Sequence, residues 1–249
     1  TMPRGIVRAF AVLKKAAAQA NAELGAITAE QRDAIAAACD EVLDGRLDDQ
    51  FPLVVWQTGS GTQSNMNVNE VLANRGNQIA GEKILHPNDS CNRSQSSNDT
   101  FPTALHIACD LAVTRELIPA TRRLCETFAE LERASAGVVK SGRTHLQDAV
   151  PISFSQEVSG WRGLLENAVA ELEASLAGLR RLALGGTAVG TGLNAPAGFD
   201  RLVAERVADL TGEPFVTEPN KFSALSGKDA VVFAHGAVKA LACNMMKVA

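Results

Sequence analysis

Three features of the chain predict an all-α fold. Apolar residues recur at three- and four-residue steps over long stretches, those stretches stop at glycines, and alanine is abundant while tyrosine is absent. The 249 residues, 46% hydrophobic and 21% charged, are enough for one large domain or two modest ones with a sizeable core. The net charge of −4 comes with no basic block, so composition points to neither nucleic acid nor an anionic membrane surface. Cys39, Cys91, Cys109, Cys125 and Cys243 are widely separated and form no C-x-x-C pair. They read as reduced, mostly buried thiols of a cytoplasmic protein, with no metal cluster expected. Polar residues interrupt every apolar face, so neither a signal peptide nor a membrane-spanning run is expected.

The elements follow in order. From Pro3, the residues Ile6, Phe10, Leu13, Ala17, Ala20 and Leu24 mark a helix that ends at Gly25. Thr28 and Gln31 have capping-box spacing and open a second helix through Ile35, Cys39 and Val42, which stops at Gly45. These two should form a helical hairpin. The run Phe51-Pro52-Leu53-Val54-Val55-Trp56 is too short and too β-branched for a helix and is expected to be extended. A polar loop over residues 57–65 leads into a helix through Val68, Val71, Leu72 and Ile79 to Gly81, and His86-Pro87-Asn88-Asp89 reads as a tight turn.

Residues 101–132 are helical in period, with Leu105, Ala108, Leu111, Ala112, Ile118, Leu124, Cys125, Phe128 and Leu131 as expected buried positions and Pro119 as a kink. Residues 140–149 form a loop or an extended segment. A second capping box at Ser153 and Gln156 opens a long helix through Val158, Trp161, Leu165, Leu172 and Leu179 to Ala183, a rod of roughly 45 Å at ~1.5 Å per residue. A Gly-rich loop (185–194) precedes a shorter helix from Phe199 to Leu210, closed by Gly212. The last helix begins near Gly227, runs to the end, and is apolar over most of its circumference, as for a helix surrounded by others. The expected organisation is an N-terminal helical domain over residues 1–97 and part of a long central bundle over 98–249.

The function-bearing residues sit in the loops. Ser94-Gln95-Ser96-Ser97-Asn98-Asp99-Thr100 crowds small hydrogen-bonding side chains against a helix start, where free N–H groups and the helix dipole attract an anion; plain capping would use the same residues. Gly59-Ser60-Gly61-Thr62 repeats that chemistry without the lysine of a nucleotide-binding phosphate loop. The 185–194 loop has four glycines in ten residues and reads as a flexible linker or as backbone able to approach a ligand closely. Of the four histidines, His86 and His145 lie in polar loops, whereas His106 and His235 fall inside apolar helical patterns and read as packed residues. A loop histidine beside hydroxyls and a carboxylate, as His145 is, suits acid/base work. His86 is either a turn residue or, with Lys83 nearby, an anion ligand. Helix bundles can bring such loop ends together, so convergence on one anionic ligand accounts for the repetition.

The motifs Gly59-Ser60-Gly61-Thr62-Gln63-Ser64-Asn65-Met66-Asn67, His86-Pro87-Asn88-Asp89, Ser94-Gln95-Ser96-Ser97-Asn98-Asp99, Gly142-Arg143-Thr144-His145-Leu146-Gln147-Asp148 and residues 185–194 resemble, in order and spacing, the class II fumarate hydratases of the fumarase/aspartase superfamily. Aspartase-like chains typically carry Thr at the position of Ser97 and Gln at that of His145. The resemblance implies reversible hydration of fumarate to (S)-malate in the tricarboxylic acid cycle, without metal or organic cofactor, in a cytoplasmic homotetramer whose active sites combine loops from three subunits. It implies Ser60, Gly61, Thr62, Ser96, Ser97, Asn98 and Thr144 as binders of substrate carboxylates, and His145 as the residue acting on the water added or lost. It also implies a secondary dicarboxylate site at Lys83, His86, Pro87, Asn88 and Asp89.

Members of that family are nearly twice this long. The Gly-Ser-Ser-x-Met-Pro-x-Lys-x-Asn loop that carries their catalytic serine has no counterpart in these residues. The chain is therefore expected to be an inactive fragment, lacking the N-terminal start and the C-terminal half. The rivals are aspartase or argininosuccinate lyase of the same superfamily, or a non-catalytic helical assembly fragment.

Overall fold

The computed structural model describes all residues, Thr1–Ala249, and the fold is all-α apart from two small two-stranded ladders. The residues cluster into two compact units, each discontinuous in sequence: Thr1–Cys109 with Leu179–Lys228, and Asp110–Gly178 with Asp229–Ala249.

The first unit is built on α1 (Arg4–Glu23), whose buried side chains include Phe10, Leu13 and six alanines from Ala9 to Ala20. Short side chains let neighbouring helices approach closely, and α1 packs against both α2 (Ala29–Leu43) and α7 (Phe199–Thr211). The Thr28/Gln31 capping box is present with both reciprocal hydrogen bonds. α3 (Thr62–Ala80) packs on α2 and ends at Gly81, whose φ of 77° is the left-handed C-cap conformation glycine adopts without strain. The 51–56 run carries no sheet partner; Met2 N–H donates to its Leu53 C=O at 2.9 Å, and Gln57 donates back to Val54 C=O and Val55 C=O. α4 (Ser97–Ala112) begins four residues before the expected start at Phe101. β3 (Arg181–Leu182) pairs in parallel with β4 (Val216–Thr217), and α8 (Lys221–Ser226) closes the unit.

The second unit holds α5 (Ile118–Ala134), α6 (Phe154–Leu179) and α9 (Asp229–Val248). The kink expected at Pro119 is realised as a π-helical turn over Val113–Leu117, just before a helix with that proline in its first turn. The proline ring clashes with the carbonyl four residues back and offers no N–H, so the helix widens there. On α5 only Ile118 and Thr121 are buried, so the expected burial of Leu124, Cys125 and Phe128 is partial, and Leu131 is exposed. Phe128 and Phe154 both pack on Trp161, with ring centroids 6.0 and 6.1 Å away.

The segment read as a loop or an extended segment is extended, as an antiparallel hairpin of β1 (Val139–Thr144) and β2 (Gln147–Ser153). α6 opens on the expected Ser153/Gln156 capping box and ends at Leu179, before the expected Ala183, because residues 181–182 leave the helix for the β3–β4 pairing. α9 buries only Ala234, Ala237 and Leu241. His235 is exposed on it, not packed as expected, because it lies off the face those three residues bury. By length and composition alone α9 is apolar enough to cross a membrane, a test that an apolar bundle helix also passes. Its Asn244 nevertheless donates to Leu164 C=O on α6 at 3.0 Å, and Ala230 sits against Gly178, so α6 is where it packs.

Candidate functional site

Two helix starts in the first unit carry most of the site residues. At the start of α3, Thr58, Ser60 and Thr62 line up their hydroxyls, with Thr58 Oγ1 2.9 Å and Thr62 Oγ1 3.3 Å from Ser60 Oγ. All three are exposed, so their remaining hydrogen-bond capacity faces outward. Between them Gly61 has φ 70°, and a Cβ there would lie 2.1 Å from the Phe101 ring. No residue but glycine fits both the left-handed backbone and the ring packed against it.

At the start of α4, Ser94 is buried in the left-handed region (φ 63°), its Oγ donating to Asn21 Oδ1 at 2.7 Å. Ser96 and Ser97 are half-buried, and Asn98 is exposed and donates to Ala188 C=O at 2.9 Å. Asp99 is fully buried and organises the region. Its Oδ1 accepts from Ser96 N–H at 2.9 Å, and its Oδ2 accepts from Gly185 N–H and Thr187 N–H at 3.0 and 2.8 Å. Burial pushes this carboxyl up to about 6, against the pull of the three N–H bonds and of Lys14. The Gly-rich loop is therefore pinned where the sequence also allowed a flexible linker.

The two helix starts, the pinned loop and α8 enclose a cleft of about 580 Å³ whose walls include Ser60, Asn98, Pro102, Val189, Phe222 and Lys228. Ser60 and Asn98 thus reach one cavity, while Thr62, Ser96 and Ser97 stand on the same helix starts without lining it. Phe222 and Lys228 were not anticipated. Phe222 lies on a helix too short to show a period in the sequence, and Lys228 two residues beyond its end.

His86 caps the π-helical turn Pro87–Cys91, its Nδ1 accepting from the N–H groups of Asn88 and Asp89 at 3.3 Å. The same nitrogen lies 3.1 Å from Asp89 Oδ2. Lys83 is exposed in the preceding turn, and Pro87 presets the first turn's backbone. Thr144 and His145 belong to the second unit. His145 and Leu146 form the hairpin turn with φ of 49° and 61°, both exposed, flanked by the Arg143–Asp148 ion pair at 3.1 Å. Two consecutive positive-φ residues make a type I′ turn, which glycine and asparagine favour, so holding a histidine there is conformationally costly.

An all-α chain with anion-ready helix starts beside a mostly apolar cleft that Ser60, Asn98 and Lys228 reach is the class these elements define. The sequence profile of the lyase family matches residues 3–249, and the chain belongs to that family, within the fumarase/aspartase superfamily. It is 55% identical over 252 residues to a class II fumarate hydratase of Bacillus anthracis, covering 100% of this chain and 54% of the relative. It is likewise 55% identical over 254 residues to a class II fumarate hydratase of Haemophilus influenzae, covering 55% of that protein. The crystal structure of class II fumarase from Schistosoma mansoni superposes with a TM-score of 0.96 at 40% identity, covering 100% of this chain and 56% of that one. The chain spans about half the length of the curated relatives it matches.

Proposed function

We propose that this chain is part of a fumarate hydratase that interconverts fumarate and (S)-malate. The observation that carries the reading is that Asn98 and Asp99 tie the start of α4 to the 185–188 loop beside a cleft that Ser60 and Asn98 both line, which places neutral and dipolar donors around one cavity. In such chemistry a base removes a proton beside a carboxylate, and prepositioned donors hold the resulting aci-carboxylate until hydroxide leaves. Ser60, Gly61, Thr62, Ser96, Ser97, Asn98 and Thr144 bind the substrate carboxylates, and His145 handles the proton of the water added or lost. Lys83, His86, Pro87, Asn88 and Asp89 form a secondary dicarboxylate site. The reading includes a cytoplasmic homotetramer, no metal or organic cofactor, and a domain boundary near 97/98. The high identity to class II fumarate hydratases and the histidine at 145 favour it over ammonia-releasing relatives.

The test follows fumarate by its ultraviolet absorbance, using the protein at its natural length. Hydration is expected, and His145→Asn should lower kcat by about 100-fold or more, the range for losing a positioned acid/base. Ammonia release from aspartate in place of hydration would transfer the reading to the aspartase rival.

A further inference from the structure

Lys14, on α1, is only 1% exposed, and its ammonium donates to two neutral amides, Asn92 Oδ1 at 3.0 Å and Gln95 Oε1 at 2.9 Å. An ammonium has donors and no acceptor. Asn92 must therefore turn its carbonyl oxygen to Lys14, leaving its NH2 to donate to Gln95 C=O at 3.3 Å. The same Oδ1 also accepts from Asn65 Nδ2 at 3.2 Å, and the Asn65 amide nitrogen donates onward to Ser97 Oγ at 3.0 Å. Reversing Asn65 would set two carbonyl oxygens against each other.

The cost of this sense is visible: Asn65 is 0% exposed and its Oδ1 has no hydrogen-bond partner. A fully buried orphan acceptor is tolerated where the opposite orientation is worse. At the end of the chain of bonds, Ser97 Oγ already accepts, so its own proton is free to be given away.

We propose that Lys14 is a positioning residue for the anion site, setting the sense of the Lys14–Asn92–Asn65–Ser97 relay so that Ser97 offers its hydroxyl proton to a bound carboxylate. This rests on the binding role given to Ser97 above. The groups facing Lys14 are Asp99 on α4 and the thiols of Cys39 on α2 and Cys91 in the turn before α4. Burial pushes both thiols well up, Cys91 to about 12, so neither charges near neutral pH. Burial also lowers Lys14 to about 7, the Asp99 charge opposing only in part. A neutral amine can accept as well as donate, so deprotonation releases the relay and removes a positive charge behind the site. Anion binding should weaken as pH rises through that value.

The test uses Lys14→Met and Asn65→Asp in the protein at its natural length, with KM and kcat for fumarate measured at about pH 6 and about pH 8, either side of the Lys14 titration. Lys14→Met keeps the side-chain length and removes the donors. Asn65→Asp keeps the shape but cannot donate to Ser97. Each variant should raise KM about tenfold or more at the lower pH while kcat changes by less than about threefold, the pattern of lost binding. Asp99 also charges within this window, so wild-type KM should climb between the two pH values more steeply than the Lys14→Met KM.

Folded variants with wild-type KM, or a Lys14→Met protein that keeps the wild-type pH dependence, would overturn the proposal. If Lys14→Met does not fold, Asn65→Asp decides by itself. If the wild-type protein does not hydrate fumarate, the functional reading fails and the relay is judged by neutron diffraction from this chain. A deuteron on Asn65 Nδ2 aimed at Ser97 Oγ, with the Ser97 deuteron turned away, supports it; a Ser97 deuteron aimed at Asn65 overturns it.

Discussion

Three backbone N–H groups converge on Asp99, two of them from residues 86 and 88 positions further along the chain. Because its folded pKa, about 6, lies above the ordinary 3.8, this group favours folding fully only below the ordinary value and loses that contribution as pH rises through about 6. Thermal melts of the chain should show this as a falling stability component between about pH 4 and 6, absent in Asp99→Asn. The amide has one acceptor oxygen, so the variant should also lose about 1–3 kcal/mol from unsatisfied N–H groups at any pH. An unchanged pH slope in Asp99→Asn would reassign the titration.

Gly61→Ala meets both the Phe101 ring and a φ of 70°, and should cost about 2–4 kcal/mol in urea unfolding. The polar residues of these loops were legible in the sequence as helix caps, and the Ser96-x-x-Asp99 spacing is itself a capping signal. Lys14 was not legible. It lies beside Lys15 in an alanine-rich helix and off the Ile6–Leu24 apolar stripe, where it reads as solvated. Only the packing of α2 and residues 91–99 around that position buries it.

At the scale of elements, the caps and glycine stops located α1, α2 and α7 within a residue or two, because those signals act within one turn of the backbone. The hairpin escaped because its strands are mostly exposed and polar, without alternation, and its turn is His145-Leu146 where Asn-Gly would announce it. Leu146 is 92% exposed at φ 61°, so its side chain contributes strain and little packing. Leu146→Gly should stabilise the hairpin by about 0.5–1 kcal/mol, read as slower amide hydrogen exchange across the β1–β2 ladder. Faster exchange would mean that the side chain holds the turn. The expected burial on α5 and around α9 failed for a different reason: a helical period shows which residues share a face but not what covers it.

For the whole molecule, α9 leaves Val232, Phe233 and Met246 at 68%, 56% and 81% exposure. Such a face associates in water. Light scattering of this chain should rise with concentration, and Phe233→Glu should reduce that rise while leaving the melting temperature within about 2 °C, as for an exposed position. The chain by itself should not hydrate fumarate, since the resemblance assigns the catalytic serine to a loop these residues do not contain; turnover by it would overturn that assignment.

The sequence by itself determined the long helices, most of their caps, the polar loops and the family, because each is written in neighbouring residues or in motifs matched along the whole chain. Only the tertiary structure decided that Asp99 pins the 185–187 loop and that Lys14, 78 residues before Asn92, lies behind Ser97. Those bonds join segments with no local signal for one another. They form because burying a charged or polar group compels it to find partners wherever packing brings them.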